Sequence, residues 1–122
     1  MNLKLSFTLI IVLLLFSCKH KPYTENAPQI SYSNDVNPII MNNCAQSGCH
    51  GSINAGQFSL LGYDNLIKGG EVKSGDPKSS KLYNSITSLE EDDLMPRSPY
   101  SRLNDDKIKI IYLWILQGAK NN

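Results

Sequence analysis

Several things are scarce in this chain of 122 residues, and each scarcity excludes something. Neither sign of charge dominates: 12 Lys+Arg stand against 11 Asp+Glu. No stretch concentrates the basic residues into the stripe that nucleic-acid binding requires. No apolar run reaches the roughly 20 residues of a bilayer span. No internal repeat and no low-complexity tract interrupts the sequence. No strand-period alternation of useful length appears, so the expected class is all-α, built of short helices and long loops. Cysteine is limited to three residues and histidine to two. An odd count of thiols leaves one outside any pair, and an exported chain has to account for it.

Export is the reading of the first residues. Lys4 supplies a positive start, and Phe7 to Phe16 is almost wholly apolar, the length of a signal h-region. The run ends in Leu15-Phe16-Ser17-Cys18, which resembles a bacterial lipobox. Residues 1–17 are therefore expected to be a lipoprotein signal peptide and Cys18 the lipidated residue, the alternative being an ordinary secretory signal with a spare thiol. The chain would then be exported and anchored by lipid to a bacterial membrane, facing the periplasm or the cell exterior. Removing Lys4 with the leader makes the two charge signs equal. Residues 18–29 are polar, with Pro22 and Pro28, and read as a flexible tether. Residues 30–122 form the expected domain, about 90 residues, small for an apolar core alone.

Within that domain, Cys44-Ala45-Gln46-Ser47-Gly48-Cys49-His50 gathers two thiols and an imidazole in seven residues. Two cysteines with His directly after the second are the attachment signature of c-type haem. Each thiol forms a thioether with the cofactor, and the His binds iron. Here four residues separate the cysteines instead of two, a spacing that some multihaem cytochromes share. The extra pair must loop outward, and Ser47-Gly48 is turn-forming. Two other readings compete. Cys44 and Cys49 could pair as a disulfide, which leaves the adjacent His unexplained. They could also bind zinc with His50, but the only other His, His20, lies far upstream on the tether.

A first helix, capped by Ser33 or Asn34, carries Val36, Ile39 and Ile40 on one face and delivers Cys44. Residues 51–62 read as irregular, with Phe58, Leu60 and Leu61 against one edge of the cofactor. A short helix at 63–68 stops at Gly69-Gly70. Gly75-Asp76-Pro77 is a turn, and Ser79 or Ser80 caps a helix bearing Leu82, Tyr83 and Ile86. The run Glu90-Glu91-Asp92-Asp93 reads as a solvated loop. Asn104 caps a last helix, apolar on much of its circumference and ended by Gly118.

A second axial iron ligand is found by elimination. Met1 leaves with the signal, Met41 is three residues before Cys44, and His20 is beside the lipid. Met95 remains, 45 residues after His50, with Pro96 stiffening its loop, the alternative being a core methionine between apolar residues. Arg97, Tyr100 and Arg102 follow it and can donate hydrogen bonds to the haem propionates.

Taken in order, these pieces resemble class I cytochromes c, most closely the planctomycete-type cytochrome c domain. The resemblance rests on Val36-Asn37-Pro38-Ile39-Ile40, Cys49-His50-Gly51, Leu66-Ile67-Lys68-Gly69-Gly70, Gly75-Asp76-Pro77-Lys78-Ser79-Ser80-Lys81-Leu82, Met95-Pro96 and Trp114-Ile115-Leu116-Gln117-Gly118-Ala119. It implies one covalent haem c with terminal helices packed near the ring. In class I cytochromes a proline carbonyl after the motif often orients the proximal His; no proline occurs between His50 and Asp76.

The expected function is a monohaem electron carrier, not an enzyme, passing single electrons between membrane or periplasmic redox partners of unknown identity, as a monomer and without nucleic acid. Two other classes stand beside it. One is a five-coordinate haem protein acting as a gas sensor or weak peroxidase. The other is a metal-free lipoprotein module with a Cys44–Cys49 disulfide. The sixth iron ligand separates the first two, and haem stain on a denaturing gel separates both from the third.

Overall fold

Pro38 decides how the first helix begins. It has no N–H, and its ring crowds the carbonyl four residues back, at Asn34. Upstream of it the chain widens into a π-helical turn, Tyr32–Val36, before the α-helix α1, Asn37–Asn43. The N–H groups of Val36 and Asn37 reach five residues back, to the carbonyls of Ser31 and Tyr32. The cap is Ser31, not Ser33 or Asn34 as expected. Its hydroxyl accepts from the Asn34 N–H at 3.2 Å, while its own N–H donates to the Asp35 carboxylate at 2.7 Å. This reciprocal cap suits a π-turn that starts two residues earlier than a plain α-helix would.

The computed structural model describes residues 26–51 and 58–122. The leader, Cys18, His20 and most of the tether lie outside the described residues. After α1 come α2, Tyr63–Gly69, a 3₁₀ turn at Pro77–Ser79, α3, Lys81–Thr87, and α4, Asp105–Leu116. Among the described residues there is no strand, so the class is all-α. None of these helices is long and apolar enough to cross a membrane.

Helix α4 is the centre of the core. Asn104 caps it by accepting from the Lys107 N–H at 3.0 Å, and Asp105 and Asp106 complement the dipole. Ile111, Leu113, Trp114 and Ile115 are buried, and α4 packs against the π-turn, the 3₁₀ turn and α3. Its end is a Schellman motif: Gly118 N–H bonds to the Ile115 carbonyl and Ala119 N–H to that of Trp114. Trp114 is 1% exposed, lies 5.9 Å from the Tyr32 ring and 6.4 Å edge-on from Tyr63, and its indole N–H donates to the Lys120 carbonyl. Val36, Ile40 and Leu66 are fully buried around it. Each such aliphatic side chain contributes about 1.5–3 kcal/mol against the entropy of ordering.

The same pole is laced by hydrogen bonds. Gln117 accepts from the Ile30 N–H and donates to the Pro28 carbonyl, and Asn122 accepts from the Tyr32 N–H. Ala27 also packs on the core. Domain contacts thus begin three residues before Ile30, in the last part of the expected tether.

Ser80 occupies the cap position of α3, but its hydroxyl is used elsewhere. It donates to the Asp76 carbonyl and accepts from the Lys73 N–H, both at 2.8 Å. Asp76 instead accepts from the Ser79 N–H, and hydrogen bonding by the Ser79 side chain, with its backbone N–H second, holds the Asp76 carboxyl below the ordinary range. The turn ahead of α3 is therefore built by two side chains in series, which a single-residue cap rule does not anticipate.

Candidate functional site

At the far end of α1 from the laced pole, the helix gives way at Cys44. The N–H groups of Cys44 and Ala45 share the Ile40 carbonyl, and the chain then turns back on itself. Cys49 N–H bonds to the Gln46 carbonyl at 3.0 Å, with Gly48 at φ +83. A turn with a positive φ at its third residue is of type II, which glycine accepts without strain. His50 N–H then closes the loop on the Cys44 carbonyl at 3.1 Å. This is how four intervening residues are accommodated: Ser47 and Gly48 fold outward, and the ring of backbone closes behind them.

Cys44, Cys49 and His50 line one cleft of about 470 Å³ together with Leu60, Leu82, Ile86 and Met95. That volume lies in the usual range for bound small molecules and cofactors. Both thiols are free, Cys44 buried and Cys49 half-buried. Burial pushes the Cys44 thiol up to about 11, and the neighbouring Cys49 adds to the rise.

His50 is held from one side. Its Nδ1 lies 3.1 Å from the Phe58 carbonyl oxygen. A carbonyl only accepts, so Nδ1 carries a proton, and in the neutral imidazole Nε2 is the bare nitrogen. The Phe58 ring stacks on the imidazole at 4.7 Å and 19°. Two residues on, the Leu60 N–H donates to the His50 carbonyl at 2.8 Å. The segment Phe58–Leu60 thus grips both the main chain and the side chain of His50. Sequence reasoning missed this partner, because the expected carbonyl belonged to a proline and any residue can supply one. Of the three side chains assigned to the cofactor edge, Leu60 is buried, whereas Phe58 and Leu61 are 44% and 40% exposed.

Met95 lines the cleft from the loop after α3. Its N–H donates at 2.9 Å to the Ser85 carbonyl, one that the end of α3 leaves without a helical partner. Arg97 and Tyr100 line the cleft as well, and Arg97 also donates to the Asp92 carbonyl. Arg102 does not reach it and donates to the Ser88 carbonyl instead. Lys81, which the sequence gave no reason to single out, lines the cleft and pairs with Glu71 at 3.0 Å. Met41 is 41% exposed and is not part of the lining.

The residues present fit a haem. The donor set is two thiols, one imidazole with its outer nitrogen already engaged, and one thioether, in a cleft whose floor is aliphatic. Zinc fits less well: among the described residues no three His, Cys, Asp or Glu side chains are grouped to hold a metal ion.

Residues 47–99 match a family model described as Planctomycete cytochrome C. The match supports a planctomycete-type cytochrome c domain. It includes Cys49, His50 and Met95, while Cys44, α1 and α4 lie outside the matched stretch. No curated protein and no solved structure matches the chain.

Proposed function

We propose that the chain is a monohaem c-type cytochrome that carries single electrons between redox proteins, anchored to a bacterial membrane by a lipid on Cys18. The observation that carries the reading is the convergence of Cys44, Cys49, His50 and Met95 on one apolar cleft. In this reading Cys44 and Cys49 would hold a haem through thioether bonds, and the His50 Nε2 and the Met95 sulfur would be the side-chain donors to its iron. Bound haem supplies a one-electron ferric/ferrous couple, which a thioether ligand biases toward the ferrous form.

The remaining work falls to the chain itself. The Phe58 carbonyl keeps His50 in the tautomer that leaves Nε2 bare. The hydrogen bond from Met95 to Ser85 ties the distal loop to α3. Leu60, Leu82 and Ile86 keep water from the floor of the cleft. Arg97 and Tyr100 are the donors available to the propionates, with Lys81 a third cation on the lining. Iron held by both His50 and Met95 would offer no free coordination site to a substrate, which favours electron carriage over catalysis or gas sensing.

One experiment tests the reading. Full-length protein matured in a host that attaches haem c should keep its haem through acid–acetone extraction, and the ferrous form should bind carbon monoxide only after Met95→Ala. Extractable haem refutes the thioethers, and rapid carbon monoxide binding by the wild type refutes Met95 as ligand. Separately, Cys18→Ser should release the protein from membranes or block its processing; wild-type protein that is already soluble would remove the anchor from the proposal.

A further inference from the structure

Phe58 does two things that one residue seldom does for a histidine. Its carbonyl takes the Nδ1 proton of His50, which fixes one ring nitrogen. Its side chain stacks on the same imidazole, which restricts rotation of the ring plane. Core filling does not explain where this side chain sits. Phe58 is 44% exposed, so its ring gives up much of the burial energy a phenylalanine usually gains.

The ring lies close against Gly69. A Cβ on Gly69, the last residue of α2, would stand 2.5 Å from Phe58 Cδ2 and 3.2 Å from both Cε2 and Cγ. Real Cβ atoms do not approach that closely, and here the obstacle is a stiff ring already leaning on His50. Glycine at 69 is therefore what lets the ring edge abut α2 while its face covers the imidazole.

We propose that Phe58 is the positioning residue of His50 and that Gly69 sets the position of Phe58, so that the end of α2 controls the orientation of the iron ligand through one aromatic ring. The inference rests on the haem reading above. It goes beyond that reading by assigning roles to two residues that line the cleft but supply no ligand to iron. An orienting carbonyl alone fixes the imidazole at one atom; this arrangement adds a wall against its face. Groups that orient a ligand also tune the metal it binds.

The test is a double-mutant cycle on the haem-loaded full chain, read as the equilibrium reduction potential. Phe58→Ala and Gly69→Ala should each change the ferric-to-ferrous ratio at a fixed applied potential by roughly threefold, which is about 28 mV at 59 mV per tenfold for one electron. The double variant should match Phe58→Ala alone, because a Cβ at 69 has no ring left to push. Phe58→Tyr, which keeps the ring, should retain the wild-type potential. A glycine needed only for folding would perturb both backgrounds equally, so additive shifts overturn the proposal. Should Gly69→Ala fail to fold, the exposed Phe58 variants still decide: equal potentials for Phe58→Ala and the wild type overturn it.

Failure of the haem reading is told apart by extraction. If the wild type yields no covalent haem, the ring-proton chemical shifts of His50 carry the test without iron. Stacking on Phe58 should move them upfield in the wild type and Phe58→Tyr relative to Phe58→Ala; identical shifts in the three proteins overturn the positioning role.

Discussion

The two ends of α1 are built on opposite principles. At the π-turn end, Tyr63 packs edge to face on Tyr32 and Trp114, whose own rings are tilted at 35°, and the hydrogen bonds of Gln117, Asn122 and Trp114 close the perimeter. Tyr32 and Trp114 are buried there, and Tyr63 is partly buried against them. At the Cys44 end, Leu60, Leu82 and Ile86 are buried, yet they border a cleft whose rim includes Phe58 and Tyr100, the latter 55% exposed. Polar side chains also border it, among them His50, Lys81 and Arg97. One end is a closed core, and the other is a core bordered by a cleft of about 470 Å³. A domain of this size gains much of its stability from what fills such a volume.

Breaking the closed end should have the largest effect. Trp114→Ala removes the central ring, with its indole hydrogen bond to Lys120, and should cost about 3–5 kcal/mol. Urea or guanidinium unfolding of the haem-free chain measures it. A loss below about 1 kcal/mol would mean that this end is not where the stability resides.

Next comes a chemical contrast within the cleft. In haem-free, reduced protein near pH 8, Cys44 should alkylate about a hundredfold more slowly than a thiol of the ordinary value of 9.0, because its value of about 11 leaves that much less thiolate. Cys49, half-buried, should react first. Mass spectrometry of the labelled peptides separates the two. Protein that takes no label at either thiol until reduced would place a Cys44–Cys49 disulfide in the cleft instead. The same rise has a stability consequence. The folded state binds the Cys44 proton more tightly than the unfolded chain, so its contribution is present below about pH 9 and is lost as pH rises toward about 11. The unfolding midpoint of the haem-free chain should fall across that interval, and replacing Cys44 with Ala should flatten the decline.

The smallest effect belongs to the turn between the thiols. No atom lies within 4 Å of a Cβ added to Gly48, so Gly48→Ala costs only its left-handed backbone, φ +83, about 1–2 kcal/mol. Thermal unfolding should show that loss with the cleft otherwise intact. A much larger loss, or loss of haem attachment, would mean that the turn positions the thiols more tightly than its open surroundings imply.

Much of this was legible in residue order. The last helix, its Asn104 cap and its Gly118 stop follow from local chemistry, as do the end of α2 at Gly69-Gly70 and the outward turn at Ser47-Gly48. Each of these is decided within about five residues, by a cap, a missing Cβ or a helical period. The misses came where two local rules competed. Ser33 and Asn34 are good caps, but Pro38 shifts the hydrogen-bond register upstream, and Ser31 takes the cap. Ser80 is a good cap as well, yet its hydroxyl is drawn to Asp76 and Lys73.

The sequence by itself determined the helical class, the haem-type motif at Cys44, Cys49 and His50, and Met95 as the methionine to watch, because spacing and elimination need no third dimension. Only the tertiary structure decided which residue orients His50. The Phe58 carbonyl is a backbone atom, present at every position, and nothing in residue type marks the one that folds back onto an imidazole eight residues away. It likewise decided that Gly69, read as a helix stop, also makes room for the Phe58 ring. It separated Arg97 and Tyr100 on the cleft from Arg102, which turns to the Ser88 carbonyl. Those outcomes depend on how α2, α3 and the Met95 loop pack around the cleft, a balance of many weak contacts that no local pattern encodes.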